Sequence, residues 1–382
     1  MKFEPISSHY MFEALADEPC IIMACNTRTT VGIVKGIFRA AKEMNAAVIM
    51  ELAKSECNLE YGYTGMTPSM YAFQTMELAK ETEWDIWALH ADHIGVKKGT
   101  PEELKEIKRL IQAQIDAGFT SFAIDASHLF NEKGKNPREE LAENIRCTIE
   151  LAKFIESKKG KNNFGLEVEV GEIGKKDEHG RVLTMPEEAV EFIAALKEAG
   201  IEPHALAIAN GSVHGNTYDA NGKPMPQSSI DIPQTIKVAE ALAGIGSKVR
   251  IAQHGITGTP LEFIEKYFPK KSIIKGNVGT EWQNVVWKVL KKKEPMLWKE
   301  INFWIQDNYS EEAKKKGINS KEQLMGTYSK NAFKPFYEKI HSLPERTKYA
   351  IEEEAYKTAL EFFKAFNAKN SAEKTREYMK KK

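Results

Sequence analysis

Histidine and carboxylate side chains recur where apolar runs give way to glycine, and that pattern carries the chemistry of this 382-residue sequence. The segments are His90-Ala91-Asp92-His93, Asp125-Ala126-Ser127-His128, Glu167-Val168-Glu169, Asn210-Gly211-Ser212-Val213-His214-Gly215, His254-Gly255-Ile256-Thr257-Gly258 and Lys275-Gly276-Asn277-Val278-Gly279-Thr280. Four of the six hold a histidine, although the chain has only nine. One histidine at such a point is usually a hydrogen-bonded structural residue, but several brought together form a ligand set. Three imidazoles on a zinc ion leave a fourth position open, which is the arrangement of a catalytic site. Cobalt or another divalent transition ion suits the same donors. Glycine follows histidine in His214-Gly215 and His254-Gly255; with the hydroxyls of Thr257 and Thr280 these turns predict a backbone cradle for an anion. His9, His179, His204 and His341 lie outside these segments and read as structural.

Elements must gather these segments. Apolar, β-branched runs predict strands at Cys20–Cys25, Ala47–Leu52, Ile86–His90, Ser121–Asp125, Phe164–Val170, Ala205–Ala209, Val249–Gln253 and Ser272–Lys275. Between them lie stretches of helical period, among them Pro101–Ala117, Arg138–Ser157 and Pro186–Ala199, with Thr100-Pro101 as a start signal and Gly118 and Gly200 as stops. Eight strand–helix repeats predict an α/β fold, a (β/α)8 TIM barrel over residues 1–291. No GxGxxG follows the first strand, which argues against a doubly wound sheet. In such a barrel, residues at the C-terminal ends of strands do the chemistry, and the six segments fall there. Residues 292–382 contain no strand-like run. Met296–Asp307, Lys321–Ile340, Thr347–Asn367 and Ala372–Lys381 read as helices, a C-terminal extension packed on the barrel or at a subunit interface.

Composition narrows the class. Lys and Arg number 54 against 54 Asp and Glu, a balance that excludes a dedicated nucleic-acid or membrane-surface binder. The N-terminus MKFEPISSHYMF has no apolar core of a signal peptide, and no run reaches the roughly 18 apolar residues of a spanning helix. Cys20, Cys25, Cys57 and Cys147 show no CxxC spacing and read as reduced thiols of a cytoplasmic protein.

The ordered set LHADH, AIDASH, LEVEVG, ANGSVHG, QHGITG and KGN-x-x-T, preceded by MACNTRTT, resembles the class II, metal-dependent fructose-bisphosphate aldolase family from about Cys25 to Thr280. The resemblance implies that His93, His214 and His254 are zinc ligands, with Glu169 near an alternative metal position. It implies that Asp92 moves the proton of the substrate's C4 hydroxyl. Gly215, Gly255, Thr257 and Thr280 would hold the phosphate of dihydroxyacetone phosphate, Asn277 the enediolate, and Asn26 a substrate hydroxyl. Lys275 fills the family's basic position. The second acid/base of the family sits in the loop after the LEVEVG strand, where Asp177 and Glu178 both answer the description and Glu178 is preferred. The implied function is reversible cleavage of a ketose bisphosphate, foremost fructose 1,6-bisphosphate, by a zinc-dependent homodimer of central sugar metabolism.

Two positions depart from the family. Ala53 stands where members have a serine that contacts the distal phosphate, with Ser55 two residues on, and Gly279 stands where they have aspartate. Both concern the aldehyde half of the substrate. The basic residue for a second phosphate is not marked by any motif; Lys330, Lys334 and Arg346 are available in the tail. The asymmetry predicts retained enediolate chemistry with an altered or differently held aldehyde. Two other readings stand beside the aldolase: an epimerase that breaks and rejoins the same bond, and a non-catalytic paralogue.

Overall fold

The computed structural model describes residues 2–161, 163–172, 176–177, 180–213, 215–219, 224–227, 229–318 and 320–382, with 176, 177, 180, 181, 217 and 224 described by backbone alone. Eight strands form a closed parallel barrel: β1 (Ile22–Asn26), β2 (Val48–Ala53), β3 (Trp87–Gly95), β4 (Ser121–Asp125), β5 (Gly165–Glu169), β6 (Ala205–Ala207), β7 (Arg250–Gln253) and β8 (Ile273–Val278). Each pairs with the next, and β8 pairs with β1, Ile22 opposite Lys275. The strands read as near-continuous apolar runs because both of their faces are covered. Several of the helices between them begin on side-chain caps: the Thr67 hydroxyl accepts from Met70 N–H, Thr100 from Glu103 N–H, and the Asp231 carboxylate from Gln234 N–H.

Two strands run further than their apolar composition suggests. β3 continues past His90 to Gly95, and β8 continues past Lys275 to Val278. Both carry register shifts: between Ala91 and Ile94 two residues of β3 oppose one of β4, and Ile274 is the extra residue of β8 against β7. Such bulges re-aim side chains next to active sites. The first puts both Asp92 and His93 at the barrel mouth, with His93 at φ 39°, and the second lets Lys275 point into the interior.

The helix Ser8–Ala14 plugs the opposite end, burying Met11, Phe12 and Leu15 and donating a hydrogen bond from Ser8 Oγ to Ser121 Oγ at 2.6 Å. The cavity of the barrel opens at its C-terminal mouth.

Residues beyond Lys293 are helical, as expected, but the stretch Lys321–Ile340 is broken into Lys321–Tyr328, a 3-10 turn at Ser329–Ala332, and Tyr337–His341. Pro335 lacks an amide proton and restricts Lys334, so one continuous helix is disallowed there. The long helix Glu345–Ala365 lies against Ile33–Met44 so closely that a Cβ on Gly36 would strike the carbonyl of Glu352. The 3-10 turn is pinned to the barrel by Ser329 Oγ, which accepts from Gln283 Nε2 (2.9 Å) and Trp287 Nε1 (3.2 Å). That attachment brings Lys330 to the mouth.

Candidate active site

The mouth opens into a cavity of about 580 Å³, lined on one side by Asn26, Arg28, Ala53, Glu56, Tyr63 and Lys330 and on the other by Gly215, Gly255, Thr257 and Thr280. Asp92, His93, Asp125, Glu169, His254 and Asn277 line it as well. The rings of His93 and His254 meet edge to face with centroids 4.5 Å apart. Ligand atoms of Asp92, His93 and His254 all lie within 4.8 Å of one another, and so do those of His93, Asp125 and Glu169. His93 Nδ1 is 3.2 Å from Glu169 Oε2 and 3.4 Å from Asp125 Oδ2.

Burial would depress the His93 imidazole, but the carboxylates of Asp92, Glu169 and Asp125 outweigh it and hold its pKa well above the ordinary value. Burial and the neighbouring Asp125 push Glu169 up to about 8. Asp125, against the effect of burial, is drawn down to about 2 by its hydrogen bond to His93. The cluster is charge-coupled around an imidazole, as expected of groups gathered for a cation.

Asp92 is held from both sides. Asn26 Nδ2 donates to its Oδ2 at 2.9 Å and Asn277 Nδ2 to its Oδ1 at 3.2 Å. Against the cost of burial, His93 and Lys275 hold this carboxyl far below the usual range, so it is ionised. His254 Nε2 lies 2.7 Å from Glu167 Oε1. With Nε2–H donating to that carboxylate, Nδ1 keeps its lone pair, the form a metal ligand requires.

Beneath the cavity lies a layer the sequence reading did not foresee. Lys275 is fully buried, its Nζ 2.7 Å from Glu167 Oε2, 2.9 Å from Glu51 Oε2 and 3.7 Å from Asp92 Oδ1. Lys275, read from the sequence as a substrate-binding residue, is not among the residues that line the cavity and lies under the site, between the carboxyl groups that touch His254 and Asn277. Asn277 Nδ2 also donates to Glu51 Oε1 at 2.8 Å. His90 joins this layer through Ser121 Oγ at 2.6 Å, and burial with the adjacent Lys275 lowers its pKa to about 3.

The residues expected to form an anion cradle, Gly215, Gly255, Thr257 and Thr280, line the same cavity. Gly255 sits at φ 66°, and a Cβ there would come 2.6 Å from the Val213 carbonyl, so only glycine fits. Thr257 Oγ1 accepts from Glu281 N–H at 3.3 Å, which leaves its proton free to donate. The 14-residue helix Thr280–Lys293 begins at the cradle, which sets the positive end of its dipole there. His214 and Glu178 lie outside the described residues, and Asp177 is described by backbone alone.

On the aldehyde side, Ala53 and Ser55 both line the cavity, and Lys330 is the one of the three tail candidates that does so. Arg28, Glu56 and Tyr63 were not foreseen. Arg28 lies within the segment ACNTRTT, two residues after Asn26, which was its only signal. Glu56 sits in a polar loop that reads as solvated surface, yet it is 3% exposed.

Together these features place imidazoles, carboxylates and glycine–threonine turns around one mouth of a (β/α)8 barrel. The chain matches the family described as fructose-bisphosphate aldolase class-II over residues 6–345; it belongs to that family and is an aldolase, a carbon–carbon lyase. The fructose-bisphosphate aldolase of Staphylococcus aureus is 29% identical over 256 residues, covering 65% of this chain and 72% of the relative. That of Streptococcus pneumoniae is 28% identical over 280 residues, covering 73% and 80%. The crystal structure of fructose-bisphosphate aldolase from Campylobacter jejuni shares the fold, with a TM-score of 0.64 at 19% identity over 97% of this chain and 98% of that one. Among the described residues no helix is long and apolar enough to cross a membrane.

Proposed function

We propose that the chain catalyses reversible aldol cleavage of a phosphorylated ketose, giving dihydroxyacetone phosphate and an aldehyde. The carrying observation is Asp92: an ionised carboxylate held by two amides, beside the paired rings of His93 and His254, on a cavity with an anion cradle at its other side. The names of the relatives make fructose 1,6-bisphosphate the first substrate to assay.

The donor set fits a zinc ion or a similar divalent metal. His93 and His254 would hold it, with Glu169 as a carboxylate ligand from the second cluster; family resemblance adds His214. When bound, the ion supplies a Lewis acid that polarises the ketone. The chain's own residues do the rest. The cradle of Gly215, Gly255, Thr257 and Thr280 fixes the phosphate of the three-carbon half. Asp92 accepts the C4 hydroxyl proton as the C3–C4 bond breaks, the electron pair staying on C3 and the aldehyde forming at C4. Asn277 steadies the oxygen that gains charge, and Glu178, with Asp177 as its alternative, returns a proton to C3. A cytoplasmic homodimer, with 1–291 as catalytic barrel and 292–382 as extension, belongs to the same reading.

Asp92→Ala tests it. Triose phosphate release should fall by about 10²–10⁴-fold while metal content, measured by elemental analysis, is unchanged. Near-normal turnover would refute the assignment of Asp92. Recovery of an intact sugar with no triose would mark an epimerase instead.

A further inference from the structure

The aldehyde half of the cavity is already occupied by a protein carboxylate. Glu56 accepts four hydrogen bonds: Arg28 Nε (2.9 Å) and Tyr63 Oη (2.6 Å) donate to Oε1, while Asn26 Nδ2 (3.2 Å) and the Ala53 N–H (2.8 Å) donate to Oε2. Both oxygens of a carboxylate are thereby filled. The donors include the amide at the position where family members place the distal-phosphate serine, and the Asn26 side chain that also holds Asp92. Arg28, a half-buried cation of this wall, is paired with Glu56, and its Nη1 is bound to Gln283 Oε1 at 2.6 Å and near Thr280 Oγ1 at 3.4 Å. Three lysines also line the cavity: Lys54, whose Nζ donates to the Gly95 carbonyl at 2.7 Å, Lys97, and Lys330, exposed at the mouth with its ammonium 5.6 Å from the Tyr63 ring.

We propose that Glu56 takes the place of a second phosphate, so that the aldehyde released is unphosphorylated and the ketose cleaved is a monophosphate. A phosphate dianion in this half would lie against the Glu56 carboxylate, which already engages the Asn26, Arg28, Tyr63 and Ala53 donors of this wall. Like charges in a water-poor pocket repel strongly, whereas an uncharged polyol chain loses nothing to Glu56. Arg28 and Tyr63 hold the carboxylate there, which makes Glu56 a specificity-determining residue. The inference rests on the aldolase reading above and narrows its substrate class.

The test compares kcat/KM for fructose 1-phosphate with that for fructose 1,6-bisphosphate, and repeats the comparison with the tagatose pair. Both members of a pair present the same three-carbon phosphate half, so their ratio isolates the aldehyde half. The wild type should favour the monophosphate by tenfold or more. Glu56→Ala should move the ratio at least tenfold toward the bisphosphate, and Glu56→Gln should move it part of the way. A wild type that favours the bisphosphate, with the preference lost in Lys330→Met, would overturn the proposal and assign the second phosphate to Lys330. An unchanged ratio in Glu56→Ala would overturn it as well. Exchange of the C3 proton of dihydroxyacetone phosphate with solvent needs no aldehyde and is run beside these assays. Exchange without the expected ratio fails only the Glu56 proposal, whereas absence of exchange fails the aldolase reading itself.

Discussion

Replacing Lys275 with methionine probes the layer that supports the site. The substitution keeps the side chain's approximate volume and removes a charge that is 2.7 Å from Glu167 and 2.9 Å from Glu51, with Asp92 at 3.7 Å. All four groups are essentially inaccessible to water. Burial and the nearby Asp92 already push Glu51 well above the carboxylate range, so the charge left uncompensated falls on Glu167, which Lys275 holds far below it. Removing one partner of a buried pair costs about 3–5 kcal/mol, because the other is left charged in a poor solvent. Lys275→Met should therefore lose stability of that order in urea denaturation of metal-stripped protein. Lys275→Met/Glu167→Gln should recover about 1–3 kcal/mol relative to the sum of the single variants, as expected of groups in direct contact. A Lys275→Met protein within about 1 kcal/mol of wild type, or a double variant that is simply additive, would refute the view that this cation neutralises the barrel interior.

Two further outcomes follow from local geometry. Gly255→Ala adds a Cβ 2.6 Å from the Val213 carbonyl at φ 66°, a strain of about 1–2 kcal/mol from backbone alone; it should raise KM for phosphorylated substrates, and an unchanged KM in steady-state assays would remove Gly255 from the cradle. His204, at the closed end, accepts the Leu166 N–H at Nδ1 and lies 2.8 Å from His9, and burial followed by His9 lowers its pKa to about 3. The unfolded chain takes up a proton near 6.5 and the native state does not, so stability present above pH 6.5 is lost as pH falls toward 3, with a slope of up to about 1.4 kcal/mol per pH unit from this group. His204→Asn should flatten that acid slope in denaturation measured at pH 7 and pH 5, and an identical slope would show that His204 is not protected from protonation.

The barrel was legible because a parallel strand covered on both faces must be apolar over its length, as in Ile22–Cys25 or Val48–Met50. The site was legible where chemistry sits beside the strand that carries it: Asp92, His93, His254, Asn277 and the glycine turns. The ends of β3 and β8 were not, because bulges allow polar residues to remain in a strand and composition cannot report register. Lys275 read as the family's basic position at the end of β8, and the closure of the barrel around Glu51 and Glu167 turns it into the interior. Glu56 was unreadable for a related reason. Its partners are Asn26 at the end of β1, Arg28 in the loop after it, and Tyr63 further along its own loop, and nothing in Lys54-Ser55-Glu56-Cys57 signals a buried carboxylate. Lys330 reaches the mouth only because Pro335 interrupts the tail helix and Ser329 is bound to Gln283 and Trp287.

Cobalt titration of the metal-stripped protein, followed by visible absorption, measures the central claim most directly. Wild type should bind one equivalent with the intense bands of a low-symmetry, nitrogen-rich site, and His254→Ala should lose them together with C–C cleavage. Wild-type protein without those bands, or bands of equal strength in His254→Ala, would contradict an active site built on His93 and His254.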